Sequence, residues 1–259
     1  MTENNRDAAE EFAKRLANND PPDPDPTDNF FLYGETGTGK TTCVKTLKED
    51  VLRTGPDGAK ALLLTNDKGG KSIQSALHDD DPYRWLEELV IHRYRDLQDA
   101  YVFLNSRDHP YVWAILDDTK IMADMLVKKL EGEYGDDVWG IYRALNNKFR
   151  KMLRSFRDLD MNILFIGREG KMEDSERRTA AFPGKALGTG NDKSSVLHEF
   201  DHAFRAIKRG AGDDAEYLLQ TESTEDAEAK KRDEHQLLDL YEKPDLSEIR
   251  KKINHGIID

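Results

Sequence analysis

The run Gly34-Glu35-Thr36-Gly37-Thr38-Gly39-Lys40-Thr41-Thr42 sets three glycines, a lysine and several hydroxyls at the spacing needed to wrap an anion. It completes the pattern G-x-x-x-x-G-K-[ST] and sits between an apolar stretch and an amphipathic one, the context that pattern requires. Glycines 34, 37 and 39 let the backbone turn its N–H groups inward around phosphate oxygens. The helix expected to start near Lys40 points its positive end at the same anion. Lys40 is then placed to reach the β- and γ-phosphates, and the Thr41 hydroxyl to ligate a magnesium ion. The chemistry is that of a nucleoside triphosphate, so ATP and Mg²⁺ are the expected cofactors.

A magnesium site of this kind needs a carboxylate. Val112-Trp113-Ala114-Ile115-Leu116 reads as a buried strand that delivers Asp117 and Asp118 at its C-terminal end, the edge where ligands bind in open parallel sheets. Asp117 is the candidate for the metal side. Asp118 is either a second ligand for water or metal, or the cap of the next helix. The acid that orients an attacking water has three candidates: Asp67 in the glycine-rich turn after the second strand, Asp118, and Glu169 after a later strand.

The elements that must position these groups alternate. Strands are expected at Phe30–Tyr33, Ala61–Thr65, Leu89–His92, Tyr111–Leu116, Asn162–Gly167 and Tyr217–Thr221. Helices are expected at Thr41–Arg53, Tyr83–Glu88, Asp96–Ser106, Ile121–Leu130, Val138–Leu159 and Leu246–Ile253. Short apolar strands between longer amphipathic helices imply an α/β fold with a mainly parallel central sheet flanked by helices. The order leaves room for a further strand between the phosphate loop and the Asp117 strand, an arrangement suited to ATP-driven motors and recombinases. Three parts are expected: residues 1–28, an acidic arm with a short polar helix and the Pro-rich linker Asp20–Pro26; residues 29–222, the core; and residues 223–259, a charged tail with a terminal helix.

The 259 residues carry 51 acids against 39 bases, a net charge of −12 that by itself argues against nucleic acid as a partner. The charge is unevenly spread. Residues 1–28 hold 8 acids and 3 bases and residues 213–259 hold 14 and 7, leaving 29 of each between them. The net charge of that middle stretch is therefore zero, and the total does not exclude a basic surface within it. On the helix over 138–159, Arg143, Arg150, Arg154 and Arg157 fall beside an apolar stripe of Ile141, Leu145, Phe149, Met152 and Phe156, as a solvated face or a contact surface. No apolar run approaches the ~20 residues of a membrane span. The acidic N-terminus shows no secretory signal, and the single Cys43, expected in packing, forms no internal disulfide, so a cytoplasmic setting is expected. Trp85, Trp113 and Trp139 are expected as core anchors. The histidines lack zinc-ligand spacing.

Over roughly residues 30–252 the chain resembles phage nucleotide-binding proteins with a RecA-like core, including phage single-strand-annealing ATPases related to RecA. The likeness rests on the phosphate loop, Asn66–Gly70, Ile115-Leu-Asp-Asp118, Trp139-Gly-Ile-Tyr142 and Asn162–Gly167 closing on Arg168-Glu-Gly-Lys171. It continues through Phe182-Pro-Gly-Lys185, Glu199-Phe-Asp-His202 and Ala229-Lys-Lys-Arg-Asp233. It implies a RecA-like P-loop NTPase fold and an ATPase acting on single-stranded DNA in phage or viral recombination or replication, in the host cytoplasm. It implies a homo-oligomer, ring or filament. It also places DNA contacts in the region Arg168–Ser195, at Arg168, Lys171, Arg177, Arg178, Lys185 and Lys193. Lys231 or Arg232 is implied to reach a neighbouring subunit's nucleotide. Two other readings stand beside this one: the ATPase motor of viral DNA packaging, and a non-hydrolysing, ATP-dependent loader or interaction module.

Overall fold

A computed structural model of the chain describes residues 27–66, 72–77, 84–106, 108–171, 176–181, 196–233 and 235–255. The expected N-terminal helix and Pro-rich linker lie outside these residues. Strand β1 (Asn29–Gly34) is buried along its whole length and ends in the phosphate loop. Chain order then runs α1 (Lys40–Cys43), a 3₁₀ turn (Val44–Thr46), α2 (Leu47–Thr54), β2 (Lys60–Thr65), α3 (Gln74–Leu77), β3 (Leu86–Val90), α4 (Tyr94–Leu104), β4 (Tyr111–Asp117), α5 (Thr119–Tyr134) and α6 (Val138–Arg157). It continues with β5 (Asn162–Lys171), β6 (Arg178–Ala181), β7 (His202–Arg209), β8 (Glu216–Gln220), β9 (Tyr241–Glu242) and α7 (Leu246–His255).

The strands form one sheet in the order β3-β2-β4-β5-β1-β7-β8-β9, with β6 paired to β5. The β3, β2, β4, β5, β1 and β7 pairings are parallel; β6, β8 and β9 are added antiparallel. The continuous apolar runs follow from this topology, because a parallel strand covered by helices must be apolar on both faces. Alternate residues serve opposite sides. Phe31, Tyr33, Leu62, Leu64, Leu116 and Phe165 meet α4, α5 and α6, whereas Phe30, Leu32, Leu63, Ile115 and Leu164 meet α1, α2 and α7.

The expected separation of phosphate loop and Asp117 strand is present, and the strand between them is β5; β2 lies on the far side of β4. Several expectations are corrected. Residues 86–90 form a single edge strand where a helix over 83–88 and a strand over 89–92 were expected, because pairing of Leu86–Val90 with β2 overrides local helical spacing and Trp85 is buried beneath it. Strand β7, His202-Ala-Phe-Arg-Ala-Ile-Lys-Arg209, is unannounced in the sequence, its charged residues hiding the alternation of a strand joined to β1. The strand at 162 runs on to Lys171 and, with β6, makes a hairpin of what reads as a loop. Trp139 is 81% exposed at the start of α6, not a core anchor, whereas Trp85 and Trp113 are buried. The charged stretch after residue 223 also packs on the core: Lys230 bridges to Ala203, β9 joins β8, and α7 docks on α2.

Three of the four arginines of α6 are engaged within the chain. Arg150, Arg154 and Arg157 all bear on one carboxylate, Glu199, with Arg154 Nη2 at 2.6 Å. Their alignment clamps the 3₁₀ turn at Val196–Glu199 against the helix. Of the four, only Arg143 is outside this cluster.

Candidate functional site

The turn from β1 into α1 meets three steric demands. Gly37 and Gly39 have φ of +83° and +84°, the left-handed region in which a side chain is strained. Gly34 lies against β7, and a Cβ there would run into the Ala206 carbonyl oxygen. Within the turn, Thr38 Oγ1 donates to the Glu35 carbonyl at 2.8 Å. Lys40 Nζ reaches back across the loop to the carbonyls of Gly34 and Glu35 at 2.8 and 2.7 Å. Burial lowers the Lys40 pKa, an effect that Asp117 and Asp118 partly offset.

Sheet register brings the acids to this loop. Gly34 pairs with Arg168 on β5, and Ile166 on β5 pairs with Asp117 on β4. Thr41 Oγ1 donates to Asp117 Oδ2 at 2.6 Å. Asp118, joined to Asp117 by a cis peptide, does two things: its Oδ1 caps α5 by accepting from Lys120 N at 2.8 Å, and its Oδ2 accepts from Arg168 Nε at 2.5 Å. The two readings of Asp118, helix cap and site carboxylate, therefore coexist on separate oxygens.

These groups surround a cleft of about 490 Å³ lined by Thr36, Gly37, Gly39, Lys40, Thr41, Thr42, Thr65, Asn66, Ser72, Asp117, Asp118, Ile121, Ile166 and Arg168. Gly34, Glu35 and Thr38 build the loop behind it. Asp67, Lys185 and Lys193 lie outside the described residues. Glu169 is not brought to the cleft: its side chain is 2% exposed and is held by Arg205 Nε at 2.7 Å and Arg178 Nε at 3.5 Å. Successive residues of a strand face opposite ways, so Arg168 and Glu169 cannot serve the same side. Lys171 pairs with Glu176 across the hairpin, and Arg177 immediately precedes β6. Lys231 pairs with Glu222 at 2.7 Å and Arg232 with Asp201 at 2.5 Å, so both are engaged within the chain. Thr65, Asn66, Ser72, Ile121 and Ile166 join the cleft although the sequence assigns none of them a role. Asn66 opens the motif Asn66–Gly70, in which the acid Asp67 is the residue that sequence reasoning selects.

The donor set suits a hard cation shared with phosphates. Thr41 and Asp117 present oxygen ligands that converge to hydrogen-bonding distance, and magnesium takes few protein ligands when phosphates supply the rest. Among the described residues, no group of three or more His, Cys, Asp or Glu side chains could hold a metal without such help. Nor, among those residues, is any helix long and apolar enough to cross a membrane.

The family model described as an AAA domain matches residues 28–232. No curated protein matches the chain. Among solved structures, a KaiC-like protein from the hyperthermophilic archaeon Pyrococcus horikoshii is similar at a TM-score of 0.45 and 11% identity, covering 79% of this chain and 82% of that one.

Proposed function

The chain belongs to the AAA-domain family, and on that footing we propose that it is a magnesium-dependent ATPase acting on single-stranded DNA, as in phage or viral recombination or replication. The observation that carries the ATPase reading is the Thr41–Asp117 contact of 2.6 Å directly beside the phosphate loop. It joins a phosphate-loop hydroxyl to a carboxylate two strands away in the sheet, an arrangement with no evident purpose in packing.

Each residue then has a task. The loop backbone cradles the phosphates, and Lys40 exchanges the Gly34 and Glu35 carbonyls for β- and γ-phosphate oxygens. Thr41 and Asp117 would hold magnesium, which when bound draws charge from the bridging and terminal phosphate oxygens. Asp118 keeps the Arg168 guanidinium at the cleft, where it meets charge developing on the transferred phosphoryl group. The DNA part is supported by the charge distribution: the acids in excess lie toward the two ends, and the β5–β6 hairpin carries Lys171, Arg177 and Arg178 beyond Arg168, which itself lines the cleft. A homo-oligomer, ring or filament, belongs to the same proposal.

One observation favours a second reading, an ATP-dependent interaction module with little turnover. Both cleft carboxylates among the described residues are engaged, Asp117 by Thr41 and Asp118 by Lys120 and Arg168, so neither is a free proton acceptor. ATP hydrolysis measured with and without single-stranded DNA, beside the mass in solution, separates these readings. The expected result is turnover that rises several-fold with single-stranded DNA, and binding to DNA that weakens with salt. Turnover indifferent to single-stranded DNA sinks the DNA part; tight ATP binding with negligible turnover in both conditions selects the interaction module.

A further inference from the structure

Asn66 has no task in the scheme above, yet its position is specific. It follows the last residue of β2, where Thr65 pairs with Asp117 in parallel register, so it stands beside the two aspartates at the same sheet edge. It lines the cleft together with the phosphate loop. Both carboxamide atoms, Oδ1 and Nδ2, are shut off from solvent, and neither has a hydrogen-bond partner among the described residues. Buried amides are nearly always satisfied, because an unmade bond leaves the desolvation of the group uncompensated. Its charged neighbours are occupied: Lys40 by two carbonyls, Asp117 by Thr41, Asp118 by Arg168. A donor and an acceptor held side by side, with nothing in the described chain to receive them, match a ligand that supplies both an acceptor and a donor. A phosphate oxygen beside a water molecule is such a ligand.

We propose that Asn66 is the positioning residue for the attacking water, its Oδ1 accepting from the water and its Nδ2 donating to a γ-phosphate oxygen. This rests on the nucleotide reading of the cleft and deepens it. A carboxamide takes up no proton at neutral pH, so Asn66 orients without acting as a base. The water oxygen bonds to the γ-phosphorus while the bond to the bridging oxygen breaks, and that electron pair leaves with ADP. The water proton passes to an oxygen of the phosphate being formed. ATP and water thus give ADP and inorganic phosphate, and atoms and charge balance without a further reactant. Rate is governed by alignment, which is why loss of the side chain is expected to act on turnover and leave affinity alone.

The test uses the full chain and its Asn66→Ala and Asn66→Asp variants. Hydrolysis of ATP gives kcat, and titration with a fluorescent ATP analogue in the presence of magnesium gives affinity separately. Asn66→Ala is expected to lower kcat by at least about 30-fold with affinity within about threefold of the parent. Asn66→Asp keeps the acceptor and adds a carboxylate able to take a proton. It is expected to exceed the alanine variant and to gain a rise of kcat with pH that the parent lacks, a change that a merely structural role would not produce. A kcat for Asn66→Ala within threefold of the parent overturns the assignment, as does a parallel loss of affinity and turnover. A parent that binds nucleotide without hydrolysing it overturns the Asn66 role alone; a parent that binds no nucleotide overturns the reading of the cleft as well.

Discussion

Lys40→Ala is expected to lower ATP turnover by at least about 100-fold while leaving the fold intact, the scale set by removing one preorganised charged donor from a phosphoryl-transfer site. The reason lies in what the ammonium does in the structure. It spans the loop from α1 to the Gly34 and Glu35 carbonyls, so one group supports the loop and stands where the phosphate charge must arrive. Nucleotide gains more from that charge than the carbonyls do, because phosphate oxygens carry full negative charge in a partly desolvated cleft. In the variant, the two carbonyls face an open cleft and are rehydrated, so the stability loss is expected to stay within about 1 kcal/mol. Steady-state hydrolysis and thermal melting, measured together, check both statements. Turnover within fivefold of the parent would remove Lys40, and with it the phosphate loop, from the chemistry.

Arg250→Ala is expected to cost about 3–5 kcal/mol of stability, the usual penalty for stripping the partner from buried charges. Arg250 lies on α7, is 1% exposed, and joins two carboxylates distant in sequence: Asp28 at 2.9 Å and Asp50 at 3.1 Å. Asp50 also accepts from Trp113 Nε1 at 2.8 Å, and Asp28 from Asn254 Nδ2 at 3.0 Å, so a single guanidinium ties the start of β1, α2, β4 and α7 together. Some compensation remains in the variant, since Asp50 keeps Arg53 at 2.8 Å, but Asp28 and Asp50 stay buried with less charge to balance them. Because α7 also holds the turn before α2 through Leu246 N to Thr46 Oγ1 at 2.9 Å, the loosening is expected to reach the helix behind the phosphate loop and weaken nucleotide binding. Urea unfolding of the two proteins gives the difference directly. A difference below about 1 kcal/mol would show that the network is not what holds α7 in place.

The same network sets the response to acid. Burial raises the Asp28 pKa, but His202, whose Nε2 lies 3.6 Å from Oδ1, then Asn254 and Arg250, outweigh burial and hold it below its ordinary 3.8. A carboxylate depressed in the folded state contributes stability that is present above its unfolded value and is lost as pH falls through the folded one. Its contribution is therefore expected to survive to about pH 4 and to disappear below it.

The nucleotide site was legible where chemistry is local. The glycines, Lys40 and Thr41 are consecutive, and one strand ending in two aspartates is a short-range pattern, so both could be read without knowing how they meet. The alternation of apolar strands with amphipathic helices was enough for a mainly parallel α/β sheet, since strands covered on both faces must be apolar throughout. The placement of Arg168 beside Asp118 and of Glu169 on the opposite face depends on β5 lying between β1 and β4. So does the turning away of a candidate acid that sequence order alone had kept in play. The arginines of α6 looked available until Glu199, some 42 to 49 residues later in the chain, was found beneath three of them. Strand β7 and the docking of α7 were hidden for the same reason: charged side chains interrupt their apolar pattern, and their partners lie far away in sequence.

The sequence by itself determined the phosphate loop, the strand that ends in Asp117 and Asp118 and the class of fold, because each is written in neighbouring residues or in a repeating period. Only the tertiary structure decided which charges face the cleft, which are consumed by partners in the same chain, and that a neutral side chain, Asn66, stands in the cleft with neither amide group met among the described residues. Those outcomes depend on sheet order and burial, which bring together residues whose separation along the chain carries no record of their contact.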